Sequence, residues 1–203
     1  MSDQLRYEVK MVFDALRLDE VRSWVYVHAN SFRKAYPLRQ VNNVYFDTFD
    51  RALMEEHING VAERAKLRYR WHGTTWQLNG GQFEIKIKNG QLGYKKTHTI
   101  SADIDISHLK WDEIIRRLRI HSSDSFKVLL GSLSPVLINQ YKREYYESMD
   151  GSVRITLDYD MRAFTQSFGL SPNIVFEQNL QNNMVIEVRA ARDAHQNVAD
   201  VLA

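Results

Sequence analysis

Arg64-Ala-Lys-Leu-Arg-Tyr-Arg-Trp71 is the stretch whose reading decides the fold. Side chains of a strand alternate between faces, so Arg64, Lys66, Arg68 and Arg70 share one side, while Ala65, Leu67, Tyr69 and Trp71 share the other. Four like charges on one face of one strand repel each other unless an anion or solvent compensates them. Such a strand has a hydrocarbon side to bury and a cationic side to satisfy.

The same alternation recurs outward from this segment. Leu5, Tyr7, Val9, Met11 and Phe13 alternate with Arg6, Glu8 and Lys10, which marks a first strand. Residues 18–30 read as an amphipathic helix, with Asp19 and Glu20 favourable near its N-terminus. Residues 41–47 read as a second strand. Phe83, Ile85 and Ile87 alternate with Glu84, Lys86 and Lys88, and Asn89-Gly90 supplies a hairpin turn into a strand over 94–100. Helical patterns cover 107–119 and 123–130. Strands resume over 136–147 and 153–159, joined through Asp150-Gly151, and the last strong one spans 183–189. Many strands, tight turns and a few helices predict an antiparallel α+β protein. A sandwich would turn the polar faces to water; a closed sheet would turn them into a wet tunnel with helices on the apolar outside. Alternation alone leaves both open.

The chain has 203 residues, enough for one domain with a real core, and its 44% hydrophobic and 26% charged content is ordinary for a globular protein. A net charge of +2 implies no general attraction to nucleic acid or membrane, so a basic site must come from local clustering. Without cysteine there are no disulfides, thiol catalysis or cysteine-ligated zinc. No apolar run approaches the roughly 20 residues of a membrane span, and the N-terminus has no hydrophobic signal core. A cytoplasmic protein with no membrane span is expected. No Gly-x-x-x-x-Gly-Lys-Ser/Thr loop is present, the seven histidines are scattered without ligand spacing, and no aromatic platform with an RNA motif is visible, so nucleic acid is not expected as a partner.

The polar faces collect Glu8 and Lys10; Arg64, Lys66, Arg68 and Arg70; Glu84, Lys86 and Lys88; Lys142 and Arg143; Arg154, Thr156 and Asp158; and Glu187 and Arg189. Bases outnumber acids heavily. Arginine offers a planar fork to phosphate oxygens, lysine a compact charge, and the few carboxylates are what a hard cation bridging phosphates needs. A single strand of this kind is also the pattern of a solvated sheet face, and pairs such as Glu8/Lys10 or Glu84/Lys86 can be cross-strand charge partners. The recurrence over several strands favours a site for a triphosphate or a longer phosphate chain with magnesium or manganese.

Arg-Tyr-Glu-Val-Lys at 6–10, Val-Tyr-Phe-Asp-Thr at 44–48, Arg-Tyr-Arg-Trp-His-Gly at 68–73, Phe-Glu-Ile-Lys at 83–86, Tyr-Lys-Arg at 141–143, Val-Arg-Ile-Thr-Leu-Asp at 153–158 and Val-Ile-Glu-Val-Arg at 185–189 together resemble the VTC domain of polyphosphate polymerases. That family belongs to the triphosphate tunnel metalloenzymes, so the resemblance implies an antiparallel β-barrel tunnel with a polar interior and helices packed outside, formed by residues 1–203 as a single domain. It implies phosphate-binding or catalytic roles for Lys10, Lys66, Arg68, Arg70, Lys86, Arg143, Arg154 and Arg189, and a metal held by Glu187 and Glu8. Mn2+ or Mg2+ would be the cofactor, ATP and polyphosphate or pyrophosphate the ligands, and a membrane or regulatory protein a conceivable partner. The implied reaction moves the ATP γ-phosphoryl group onto a polyphosphate end. Two departures matter. Hydrolytic relatives resembling adenylate cyclase and thiamine triphosphatase begin Glu-x-Glu-x-Lys, whereas this strand reads Arg6-x-Glu8-x-Lys10, which favours the polymerase branch. The family also closes with a helix and a Ser-Lys-Tyr or Ser-Lys-Phe segment, which this sequence lacks after Arg192. Alternatives are a phosphatase using water, with Glu8 or Glu84 as base, and a non-catalytic module binding polyphosphate or inositol phosphate.

Overall fold

A computed structural model of the chain describes residues 6–89, 92–166, 169–191 and 201. Its strands are β1 (Arg6–Asp14), β2 (Arg33–Asp47), β3 (Glu63–His72), β4 (Gln82–Asn89), β5 (Leu92–Thr99), β6 (Ser134–Glu147), β7 (Val153–Thr165) and β8 (Asn183–Ala191). Its helices are α1 (Leu18–Val27), α2 (Ala52–Ile58), α3 (Trp111–Ile120) and α4 (Asp124–Ser132). The strands form one eight-stranded sheet in the order β1-β8-β7-β6-β2-β3-β4-β5. The pairings of β1 with β8, β7 with β8, β2 with β3, β3 with β4 and β4 with β5 are all antiparallel. The architecture is therefore the antiparallel α+β one that the alternation predicts.

Two compact units share the chain: Met1–Gln40, Tyr141–Met161 and Asn179–Ala203 make the first, Val41–Gln140 and Arg162–Gln178 the second. In the first, Val153, Ile155 and Leu157 of β7 and Met184, Ile186 and Val188 of β8 are buried with Val21 and Val25 of α1, and Val9, Met11 and Phe13 of β1 pack against them. A buried cluster of this size is the main source of stability, at about 25 cal/mol per Å² of apolar surface. Helix α1 enters through a 3₁₀ turn, Ala15–Arg17, whose N-cap Asp14 accepts from Leu16 N at 2.8 Å. It ends at Val27, three residues before the periodicity does, because His28 turns extended and takes the next donors itself. Its Nδ1 accepts from Asn30 N at 3.1 Å and its carbonyl from Ser31 N at 2.8 Å.

In the second unit Val44, Phe46, Leu67, Tyr69, Trp71 and Phe83 are buried against Trp111, Ile114 and Leu118 of α3 and Phe126 and Leu130 of α4. Helix α3 begins at Trp111 rather than at 107, since Asp105 diverts that segment into a turn by accepting from Ser107 N at 2.9 Å and Ser107 Oγ at 2.5 Å. Helix α2 has no sequence signature: it has seven residues, none buried. It is anchored instead by the buried Asp47 carboxylate, which accepts from Leu53 N and Met54 N at 3.0 Å each. The Asp150-Gly151 turn forms as expected, with Gly151 at φ 71 where a side chain would be strained. Gly90, in the other expected turn, lies outside the described residues.

Candidate phosphate-binding site

In the second unit the register sets Tyr45 opposite Arg68, Asn43 opposite Arg70, Arg68 opposite Glu84 and Lys66 opposite Lys86. Residues opposite one another share a face, so these side chains all stand away from the Phe46–Tyr69–Phe83 core. Glu84, 3% exposed, is the hub. Arg68 meets it through Nε at 2.6 Å and again through Nη2, Lys95 Nζ lies at 2.8 Å and Arg70 Nη1 at 3.6 Å. Tyr45 Oη and Asn43 Oδ1 steady the two arginines, at 3.2 Å from Arg68 and 3.1 Å from Arg70. Burial pushes the Glu84 carboxyl up, but Arg68, Arg70 and Lys95 outweigh it and bring the pKa down to about 2. Among the described residues, Arg68, Arg70 and Lys95 converge on this buried carboxylate, and Lys66 and Lys86 stand on the same face. A face so rich in cations is fitted to an anion.

In the first unit the centre is Glu187, 2% exposed. Its Oε1 takes Arg189 Nη2 at 2.7 Å and Lys10 Nζ at 3.3 Å; its Oε2 faces Thr156 Oγ1 at 3.5 Å and Arg143 Nη2 at 3.9 Å. Glu8 reaches the same two cations, Lys10 at 3.1 Å and Arg189 at 3.5 Å. Arg143 is fixed by a bidentate pair with Asp158, 2.5 Å on each arm, and by the rings of Tyr141 and Tyr145 at 5.2 and 6.0 Å. Burial works against the Lys10 ammonium, yet Glu187 and Glu8 prevail and raise its pKa. Among the described residues, three cations here face three carboxylates, Glu8, Asp158 and Glu187.

The structure thus brings Lys10, Arg143, Arg189, Glu8 and Glu187 into one cluster, and Arg68 and Arg70 into another beside Lys66 and Lys86. Arg154 stands opposite Arg189 in the register, but its guanidinium is exposed and pairs with Glu147 at 2.9 Å. Asp158 and Tyr141 join the first of these clusters and Lys95 the second, without having been assigned roles by sequence. A divalent cation fits the first cluster by donor chemistry: Glu8 and Glu187 reach the same ammonium and guanidinium, and magnesium is held by one or two carboxylates with substrate phosphates completing its shell. Among the described residues no group of three or more potential metal ligands occurs, so protein donors alone would not complete such a shell.

One eight-stranded sheet, whose strands hide an apolar face and gather arginines, lysines and carboxylates on the other, is the framework of this chain. The solved structures bear out the fold. A candidate adenylate cyclase from Bacillus halodurans superposes with a TM-score of 0.57 at 14% identity, over 96% of this chain and 85% of its own. Another, from Vibrio parahaemolyticus, gives 0.51 at 13% identity, over 95% and 80%. The VTC domain profile matches residues 5–203, and the chain belongs to that family. No curated protein matches it. Among the described residues no helix is long and apolar enough to cross a membrane.

Proposed function

We propose that this domain is a metal-dependent polyphosphate polymerase. An anionic oxygen at the end of a phosphate chain attacks the γ-phosphorus of ATP, the bond to the β-bridging oxygen breaks, and ADP leaves with that electron pair. The nucleophile is already deprotonated, so no histidine, serine or cysteine is needed; positioning and charge neutralisation carry the step. Phosphate-binding roles fall to Arg68, Arg70, Lys66 and Lys86 in the second unit and to Lys10, Arg143, Arg154 and Arg189 in the first. Arg154 gives up only a surface pair in that role, worth about 0–1 kcal/mol. Glu187 and Glu8 would hold Mn2+ or Mg2+, which supplies Lewis-acid neutralisation of phosphate oxygens when bound.

The observation that carries this reading is the cation excess at Glu84 together with the balanced cluster at Glu187. The first suits a bare phosphate chain, the second a metal–phosphate ion pair. A phosphatase would need a base to deprotonate water. Glu84, held at about 2, is a poor proton acceptor at neutral pH, which removes one of its two candidates. Incubation with ATP and manganese followed by gel separation tests the proposal. Chains longer than ATP's own triphosphate are expected, and orthophosphate alone would overturn it. Arg68→Ala should abolish synthesis while leaving the circular dichroism spectrum of a folded chain, with a lowered thermal midpoint because buried Glu84 loses its nearest counter-ion.

A further inference from the structure

One face of β6 carries rings as well as charge. Tyr141, Arg143 and Tyr145 share it at two-residue spacing, and the Arg143 guanidinium lies 5.2 Å from the first ring and 6.0 Å from the second. The series does not stop at Tyr145. Its ring meets that of Tyr36 from β2 edge to face, 5.5 Å between centroids at 83°. Arg39 then sets its guanidinium against both, 4.9 Å from Tyr36 and 5.6 Å from Tyr145. Tyr36 and Arg39 are three positions apart and would face opposite sides of a regular strand. Their contact shows that β2 departs from simple alternation between them, where Pro37 cannot donate to a ladder. All five residues belong to the first unit.

The two ends of this series differ. Arg143 is fixed by Asp158 and lies beside Glu187, in the cluster that takes phosphate in the function proposed above. At the other end Tyr36 is 46% exposed, and Arg39 is exposed as well. Among the described residues Arg39 is met by these two rings and by no carboxylate. Ring contacts hold the cation in place on the protein side and leave the pair open to solvent on the other. Tyrosine rings and guanidinium planes are surfaces on which an unpaired base stacks, and every base has a π-face to offer. Two residues along a strand cover about 7 Å, so Tyr145, with Tyr36 at its side, stands off from Arg143 far enough to admit a sugar between base and phosphate.

We propose that Tyr36 and Arg39, backed by Tyr145, form a platform on which the base of a nucleoside triphosphate stacks while its phosphates lie at Arg143. The platform separates nucleotides from bare phosphate chains: both reach the cations, and only a nucleotide gains the stack. Stacking reads no base edge, so a purine gains over a pyrimidine by ring area alone. The inference rests on phosphate binding in the proposed function, which a bare chain checks separately.

The test is calorimetric titration of the full chain with ATP and, separately, with inorganic tripolyphosphate, both with a metal chelator present so that no phosphoryl transfer occurs. Tyr36→Ala should weaken ATP binding about tenfold, the size of one lost base–aromatic stack, and leave tripolyphosphate binding within about twofold of native. Tyr36→Phe should keep the native affinity for ATP, since the ring and not the hydroxyl is used. In proton magnetic resonance the aromatic protons of adenine should move upfield on binding the native chain, as they do over a ring face, and should not do so with Tyr36→Ala. Unchanged ATP affinity in Tyr36→Ala, an equal loss for both ligands, or no upfield shift with the native chain would overturn the platform. Failure of the native chain to bind tripolyphosphate at all would instead overturn the function proposed above.

Discussion

Glu84 is nearly inaccessible to water and yet ionised, because two arginines and a lysine converge on it. Each of those cations is held by the carboxylate on the face where a phosphate would compete for it. Glu84→Gln keeps the shape and removes the charge. Arg68 and Arg70, both partly buried, and the more exposed Lys95 then lose this carboxylate, and a loss of about 1–3 kcal/mol is expected, read as a lower urea midpoint. The same change should tighten tripolyphosphate binding, because the ligand no longer competes with an internal anion; weaker binding would show that Glu84 mainly positions Arg68 and Arg70. At this scale the sequence was legible where period two alone sufficed. It placed Lys66, Arg68, Arg70, Glu84 and Lys86 on one face. It did not find the Arg143–Asp158 fork or Lys95 on Glu84, since partner identity depends on register, and a slip of one residue turns every side chain to the other face.

Among the elements, α1 was read nearly to its ends from its apolar stripe, but what holds it was not visible. Arg22 reaches from α1 to the buried Glu144 of β6, 2.5 Å through Nη2 and 3.1 Å through Nε, and the hydroxyls of Tyr146 and Tyr159 donate to the same carboxylate at 2.5 and 3.0 Å. These groups are 122 residues apart in sequence, and no local pattern links them. Arg22→Met leaves Glu144 buried without its counter-ion and should cost about 3–5 kcal/mol. Adding Glu144→Leu removes the stranded charge, so the double variant should be more stable than Arg22→Met alone. Chemical denaturation of the two chains decides it, and a double variant less stable than the single one would mean that the tyrosine hydroxyls, not the ion pair, set the cost. Helix α2 and the first half of β2 escaped sequence reading for a related reason. Residues 33–39 of β2 and most of α2 are exposed or half-buried, so neither carries the apolar periodicity that marks an element, and Pro37 interrupts the former.

For the molecule as a whole, the repeated two-residue period fixed the antiparallel α+β class, because every strand with a charged face had a hydrocarbon face to hide. The same arrangement fixes how the protein responds to acid. Burial raises the Glu84 and Glu144 carboxyls and their partners lower them further: Glu84 falls from an ordinary 4.5 to about 2, and Glu144, through Arg22 and the two tyrosine hydroxyls, falls as well. A carboxyl whose folded pKa is depressed contributes stability in full above its unfolded value and loses it as the pH falls toward the folded value. For Glu84 that window runs from 4.5 down to about 2, and the contribution is at most about 3 kcal/mol, at 1.36 kcal/mol per unit. Unfolding free energies measured in urea should therefore be level near neutrality and drop steeply below about pH 4.5. In Glu84→Gln the neutral plateau should sit lower and the descent should be shallower, so that the two curves approach each other toward pH 3. Parallel curves would mean that Glu84 keeps its charge-independent contacts and that the acid sensitivity of the fold lies elsewhere, with Glu144 the next group to replace.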